Sequence, residues 1–216
     1  MASQTQQLEN PSIPALGYPT EVYERRHFNE NNGALNTYFR KLSSVLGSLF
    51  GPRGGRFMNA PYGAFQDSTD QTAANTTTAY AVKFNTTDFS NGVTVASTTR
   101  ITVVDAGIWN CQFSIQFKNT TNDTQDVDVW FRKNGSDIAN SNSRFGLSAR
   151  KSAGDPSHTV AAMNFFASMN STDYLEIMWR PSDVGVSIEQ YAAGTSPTRP
   201  TIPSAIVTMS FVSNIT

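Results

Sequence analysis

The chain has 216 residues, and its 16 Lys and Arg nearly cancel its 17 Asp and Glu, so that only 15% of residues are charged where globular chains carry roughly 25%. This balance excludes a protein that grips nucleic-acid phosphates or an anionic membrane surface through charge, and no apolar run reaches the roughly 18 residues of a membrane-spanning helix. One cysteine, Cys111, excludes an internal disulfide, and two histidines, His27 and His158, are too few for most histidine-based metal sites.

Residues 1–7 have neither a basic region nor an apolar core, so no signal peptide is expected there. Residues 8–19 hold three prolines and a glycine, which predicts an extended, irregular arm. The first 60 residues carry six basic and four acidic side chains, a net +2, whereas residues 61–216 carry ten and thirteen, a net −3. The convincing helix of the chain follows the arm. Asn31 and Asn32 offer an N-cap and Gly51-Pro52 a stop. Between them Leu35, Tyr38, Phe39, Leu42, Val45, Leu46, Leu49 and Phe50 recur at helical spacing as one apolar stripe, opposite Asn36, Arg40, Lys41, Ser44 and Ser48. Such a stripe packs either on the chain's own following domain or on sister chains or a larger assembly. The Pro-rich arm before it favours the second, since such arms gain order from a partner. Residues 51–60, opening with Gly51-Pro52-Arg53-Gly54-Gly55-Arg56, read as a linker; one Gly-Pro-Arg triplet without a period is not a collagen helix.

From residue 61 the pattern changes to alternation broken by turn clusters. Tyr80, Val82 and Phe84 alternate, then Val93 and Val95, then Ile101 and Val103. After a turn at Asp105-Ala106-Gly107, the residues Trp109, Cys111, Phe113, Ile115 and Phe117 place five apolar side chains on one face, with Asn110, Gln112, Ser114 and Gln116 on the other. Val127, Val129 and Phe131 form the next strand, which ends at the turn signal Asn134-Gly135. Residues 139–157 read as a loop. Residues 159–169 read as a strand apolar enough to be buried on both faces. Leu175, Ile177 and Trp179, then Val184, Val186 and Ile188, and a last strand over residues 205–212 complete the set. Nine or ten antiparallel strands with no helical period between them predict a mainly β domain, a sandwich or barrel-like jelly roll, over residues 61–216.

The chemistry-bearing residues are sparse. Asp126 and Asp128 share a strand face with Asp123 close by, which reads as a solvated face before it reads as half of a cation site. Ser157, His158 and Asp155 are too near in sequence to converge as a triad, and no Gly-x-Ser-x-Gly elbow or phosphate-cradling loop occurs. His158 is expected at the surface and Cys111 in the core as a small hydrophobe. The Asn-x-Ser/Thr sequons, such as those at Asn75, Asn85, Asn119, Asn122, Asn134 and Asn170, follow from an Asn- and Thr-rich composition. No cofactor, metal or catalytic residue is assigned, so a non-enzymatic protein is expected. A hydrolase with two converging carboxylates is the competing enzyme reading. Two loops, at residues 141–145 and 190–195, carry amides and aromatics able to touch a glycan or receptor; Asn142, Arg144, Phe145, Gln190 and Tyr191 are the candidates.

Residues 101–113, with a turn, a glycine and an aromatic before a long alternating strand, resemble the lead-in to the central strand of C1q/TNF-like jelly rolls. Asp173-Tyr174-Leu175-Glu176-Ile177 is similar to that family's later Gly-Asp-x-Val stretch, with Thr172 where Gly is usual. The resemblance implies a jelly-roll sandwich that assembles as a homotrimer. Calcium binding, found in mammalian-type C1q domains, is not carried over, because no matching acidic cluster is present. The segment 18–29 followed by the helix is similar to the particle-attachment end of small virion proteins of tailed bacteriophages, cyanophages in particular, and residues 191–197 and 203–207 are similar to their closing strand. That resemblance implies a virion location and a trimeric fibre, knob or capsid decoration protein. Residues 1–50 would then contact other virion proteins or sister chains through Tyr23, Arg25, Arg26, His27 and Phe28 and the helical stripe Leu35, Tyr38, Phe39, Leu42, Val45, Leu46 and Leu49. The jelly-roll head would project toward a host-surface glycan or receptor. A free C1q-like glycan-binding module is the alternative from another class.

Overall fold

The computed structural model describes residues 11–18, 21–22, 24–50 and 60–214, with the side chains of residues 48–50 left aside. Tyr23, the Leu49 side chain and residues 51–59 of the expected linker lie outside the described residues. The chain divides into two compact units, Met1–Asn59 and Ala60–Thr216.

The first unit holds α1 (Arg25–Phe50). It begins six residues before the expected Asn31–Asn32 cap. The Phe28 N–H already donates to the Glu24 carbonyl at 3.1 Å, and Arg26 pairs with Glu30 one turn on at 2.9 Å, so the polar segment before the stripe is itself a competent first turn. Asn31 serves a different end. Its Oδ1 accepts from the Gly17 N–H at 3.1 Å, and its Nδ2 donates to the Gly17 carbonyl at 3.4 Å, an amide that binds the irregular arm as a strand would. The helix ends at Phe50, before Gly51-Pro52, as proline dictates. Along the stripe Leu35, Tyr38, Leu42 and Val45 are only half-buried, and Phe39 and Leu46 are exposed.

The second unit contains sixteen strands among the described residues, five of them only two residues long. In chain order they are β1 (Tyr62–Asp67), β2 (Gln71–Thr72), β3 (Tyr80–Ala81), β4 (Thr86–Asn91), β5 (Val93–Ala96), β6 (Arg100–Val103), β7 (Gly107–Asn119) and β8 (Gln125–Lys133). The rest are β9 (Ser136–Asp137), β10 (Ser143–Leu147), β11 (Ser157–Met169), β12 (Tyr174–Pro181), β13 (Val186–Ile188), β14 (Gly194–Thr195), β15 (Thr198–Arg199) and β16 (Ala205–Ser213). One sheet runs β2-β13-β7-β16-β1-β4 with β11 on the far side of β7; the other runs β10-β8-β12-β6-β5 with β3 beside β12 and β9 beside β8. The strands of both sheets pair antiparallel. The result is an antiparallel β sandwich.

Its core is the alternation made physical. Trp109, Cys111, Phe113, Ile115 and Phe117 of β7 all point inward and are buried. They meet Val127, Val129 and Phe131 of β8 and Leu175, Ile177 and Trp179 of β12, likewise buried. Ring pairs bridge the sheets, Phe113 with Phe131 at 5.7 Å and Phe117 with Trp179 at 5.8 Å between centroids. Two turns follow from backbone chemistry. Asn134 and Gly135 both take positive φ, 49° and 82°, the pair a tight hairpin between β8 and β9 requires. At the start of β7 a Cβ on Gly107 would stand 2.4 Å from the Phe211 ring, so only glycine lets β16 close over this end.

Several expectations change. β11 is not buried on both faces: Ser157, Ala161, Ala167 and Met169 point in, whereas Val160 and Phe166 are more than half exposed, at 54% and 56%. Its apolar outward residues had hidden the alternation. The segment 139–157 is not all loop but contains β10, a short polar strand paired to β8. β1 and β4 escape the alternation test because Gly63, Ala64 and Phe65 are buried in succession and β4 has almost no buried residue. Val82 and Phe84 are buried as expected, but the ladder there covers only Tyr80–Ala81.

Candidate functional site

The two outer faces of the sandwich differ in chemistry. On the first sheet the registers align Ala162, Ser114 and Ile206 in one row, Asn164, Gln112 and Thr208 in the next, and Phe166, Asn110 and Ser210 in the third. No charged side chain stands in these rows. Val160 and Val212 extend them, and Tyr62 packs edge-on against exposed Phe89 further along the sheet. The Asn110 Oδ1 within this face is closed off from solvent with no hydrogen-bond partner, a defect that costs about 1–3 kcal/mol while it lasts. The second sheet is charged outside. Glu176 lies opposite Arg132, Arg180 opposite Asp128, and Asp128 opposite Arg144.

A cleft opens on each of these faces. The larger, about 430 Å³, is lined by Lys118, Arg150, Asp155, His158, Glu189 and Tyr191, among others. His158 of β11 and Lys118 of β7 are register partners at the end of the first sheet. Lys118 pairs closely with Glu189; the Tyr191 hydroxyl donates to Glu189 Oε2 at 2.6 Å and stands 2.8 Å from His158 Nδ1. Since the tyrosine proton goes to the carboxylate, its oxygen accepts from a protonated Nδ1. Burial works to raise the Glu189 carboxyl, but the hydrogen bonds from Lys118 and Tyr191 outweigh it and hold the carboxyl below its ordinary value. Burial and then the Glu189 carboxylate push the Tyr191 phenol up. The four groups thus satisfy one another in a chain.

The smaller cleft, about 360 Å³, lies on the charged sheet between Asp128, Trp130, Asp137, Asn140, Asn142 and Arg180. Arg144 grips Asp128 through Nε at 2.9 Å and Nη2 at 3.3 Å, and Arg180 adds Nη1 at 3.3 Å. Asp128 is therefore a buried acceptor between two guanidiniums and not part of a solvated face; Asp126 is the exposed one. Trp130 Nε1 and Arg132 Nε both donate to Asp137 Oδ1, at 2.9 and 2.7 Å. Arg132 first and Trp130 second hold that carboxyl below its ordinary value.

Of the loop residues singled out from sequence, Asn142 lines the smaller cleft and Arg144 braces it from β10, while Tyr191 lines the larger. Phe145 instead packs against the core as part of β10. Gln190 lines neither cleft; its N–H donates to Asp70 at 2.9 Å. Sequence reasoning missed Trp130, whose signal was an aromatic on the polar face of an otherwise regular strand. Ser157, His158 and Asp155 do not converge: Ser157 donates to the Ser148 carbonyl, His158 meets Tyr191, and Asp155 pairs with Lys151. In the first unit His27 stands 3.2 Å from Asn31, Arg25, Arg26 and Phe28 are exposed, and the stripe residues are placed as described above. Among the described residues no cluster of three His, Cys, Asp or Glu is arranged to hold a metal, and no helix is long and apolar enough to cross a membrane. Comparison with known proteins finds neither a matching family model nor a significantly similar curated protein.

Proposed function

We propose that the chain is a non-enzymatic structural protein of a bacteriophage particle, a homotrimer whose N-terminal arm and helix anchor it and whose C1q/TNF-like jelly-roll head faces a host surface. The observation that carries the assembly is the contrast between the two outer faces: one sheet charged, the other carrying three successive rows without charge and exposed Phe166, Val160 and Ile206. A sister chain on that face would bury its apolar groups. The jelly-roll assignment is supported by the strand paths: β4-β1-β16-β7-β11 faces β5-β6-β12-β8-β10, and the chain passes from one sheet to the other between β6, β7 and β8. Thr172 lends further support, since it takes φ of 69° where the family has glycine. The anchor is supported by the open helical stripe. The phage setting comes from the resemblance of residues 18–29 and of the closing strand.

Light scattering on the full chain tests the assembly, with a mass of three times 23.6 kDa expected and a monomer counting against it. A chain lacking residues 1–50 should fail to enter particles; normal incorporation would sink the anchor. The second reading, a free glycan-binding module, is favoured by the Trp130 cleft alone and predicts glycan binding with no association with particles.

A further inference from the structure

The sequence contains three tryptophans. Trp109 and Trp179 are buried in the core; Trp130 is half-buried and lines the cleft of about 360 Å³ on the charged sheet, a size at the lower end of the roughly 300–1,000 Å³ of small-ligand sites. Its indole is held in place, because the N–H is committed to Asp137 Oδ1 and Arg132 fixes that same oxygen. Trp130 therefore offers a rigid aromatic surface with its polar edge already satisfied.

The groups around it face solvent and keep bonding capacity for a ligand. The Asn140 and Asn142 side-chain amides make no hydrogen bond to the protein among the described residues, and neither does Asp137 Oδ2. Arg180 closes the opposite side, positioned by the Thr76 carbonyl at 2.6 Å and by Asp128 at 3.3 Å. Charge is nearly balanced: Arg132 faces Asp137, Arg144 and Arg180 face Asp128, and Asp126 stands near Arg144. An anionic ligand would meet two carboxylates already engaged by the available guanidiniums. A wholly apolar ligand would strip water from the amides without bonding them.

We propose that this cleft is a saccharide-binding site that takes neutral pyranosides. A pyranose has an apolar C–H face, which suits an aromatic platform. Its hydroxyls are both donors and acceptors, which suits two free amides, one carboxylate oxygen and a guanidinium. The cleft beside Tyr191 is the weaker choice, because its polar groups satisfy one another and it opens at the end of the uncharged face. The assignment deepens the reading of the sandwich as the binding head, since in that reading the charged sheet stays open and three weak sites act together.

The test is a fluorescence titration of the full chain with glucose, galactose, mannose and N-acetylglucosamine, with maltose, lactose and chitobiose, and with dextran sulfate as the anionic probe. Trp130 is the tryptophan that solvent reaches, so its emission reports occupancy. At least one neutral sugar should give a saturable change in the millimolar range. That affinity, followed in the variants by calorimetry because Trp130→Ala removes the reporting indole, should fall ten-fold or more in Trp130→Ala and in the double variant Asn140→Gly/Asn142→Ala, which keeps the φ of 61° at position 140 accessible, and should be unchanged in Tyr191→Phe. A trimeric protein whose emission no neutral sugar moves, or that answers dextran sulfate alone, overturns the site and leaves the assembly standing. Binding that survives both cleft variants overturns it as well. A monomer whose neutral-sugar binding needs Trp130 keeps the site and overturns the trimer.

Discussion

Cys111 sits in the middle of β7 with no solvent exposure, and burial pushes its thiol up to about 12. The thiolate is the reactive form, so the native protein should not react with Ellman's reagent at pH 8 and should release one equivalent of thiol in guanidinium; fast native labelling would contradict the packing of β7. Thr172 is a different residue-scale case. It is exposed, β-branched and at φ 69°, a conformation that costs an L-residue roughly 1–2 kcal/mol. Thr172→Gly relieves that cost and gives back part of it as unfolded-chain entropy. A net gain of roughly 0.5–1 kcal/mol in unfolding free energy, read by denaturant titration, is expected, and a loss would mean the threonine side chain has an unseen contact. Acid sensitivity follows from Asp137 and Glu189, whose carboxyls lie below their ordinary values in the fold. A depressed folded pKa contributes stability above the unfolded value, near 4–4.5, and loses it as pH falls through the folded value. Thermal unfolding should therefore move to lower temperature on acidification from pH 5 downward, and Glu189→Gln should flatten part of that slope.

At the scale of elements, what holds the sandwich is the meeting of β7 and β8. Phe131 lies 5.7 Å from Phe113 across the core and stacks on Phe165 at 4.6 Å. Phe131→Ala should cost about 3–5 kcal/mol in equilibrium unfolding; a loss under 1 kcal/mol would mean the core closes around the gap. The legibility of the sequence tracks this packing. β7 could be read residue by residue because each inward position is apolar and each outward one polar. β11 was misread because Val160, Ala162 and Phe166 face outward, which is the property that marks the uncharged face. β1 was missed because Gly63-Ala64-Phe65 has no period of two, and β10 because its alternation, with Phe145 and Leu147 turned inward, is short and set among Ser, Asn and Gly. The early start of α1 was hidden because Asn31, a good cap by chemistry, is spent on Gly17. The candidate site was legible only at its edges: Asn142, Arg144 and Tyr191 were named from loop composition. The convergence of Trp130 with Asp137 and Asn140 depends on the β8–β9 hairpin, and that of His158 with Tyr191 on long-range strand placement.

At the scale of the whole molecule two open surfaces, the uncharged rows of the first sheet and the helical stripe, compete as the seat of the proposed trimer, and charge can tell them apart. Phe166→Arg places a guanidinium in the row of Asn110 and Ser210, where a sister chain would have to desolvate it at several kcal/mol per copy. In the free chain Phe166 is 56% exposed, so the fold itself should be spared. Leu42→Asp with Val45→Asp does the same to the stripe. If the face joins the heads and the stripe anchors them, the first variant is a folded monomer by light scattering, and the second remains a trimer that no longer enters particles. If the stripe variant is the monomer and Phe166→Arg remains a trimer, the helices join the sister chains, and the uncharged face must meet another component of the particle. The two variants thus assign each surface to its partner, because each adds charge to one surface and leaves the other untouched.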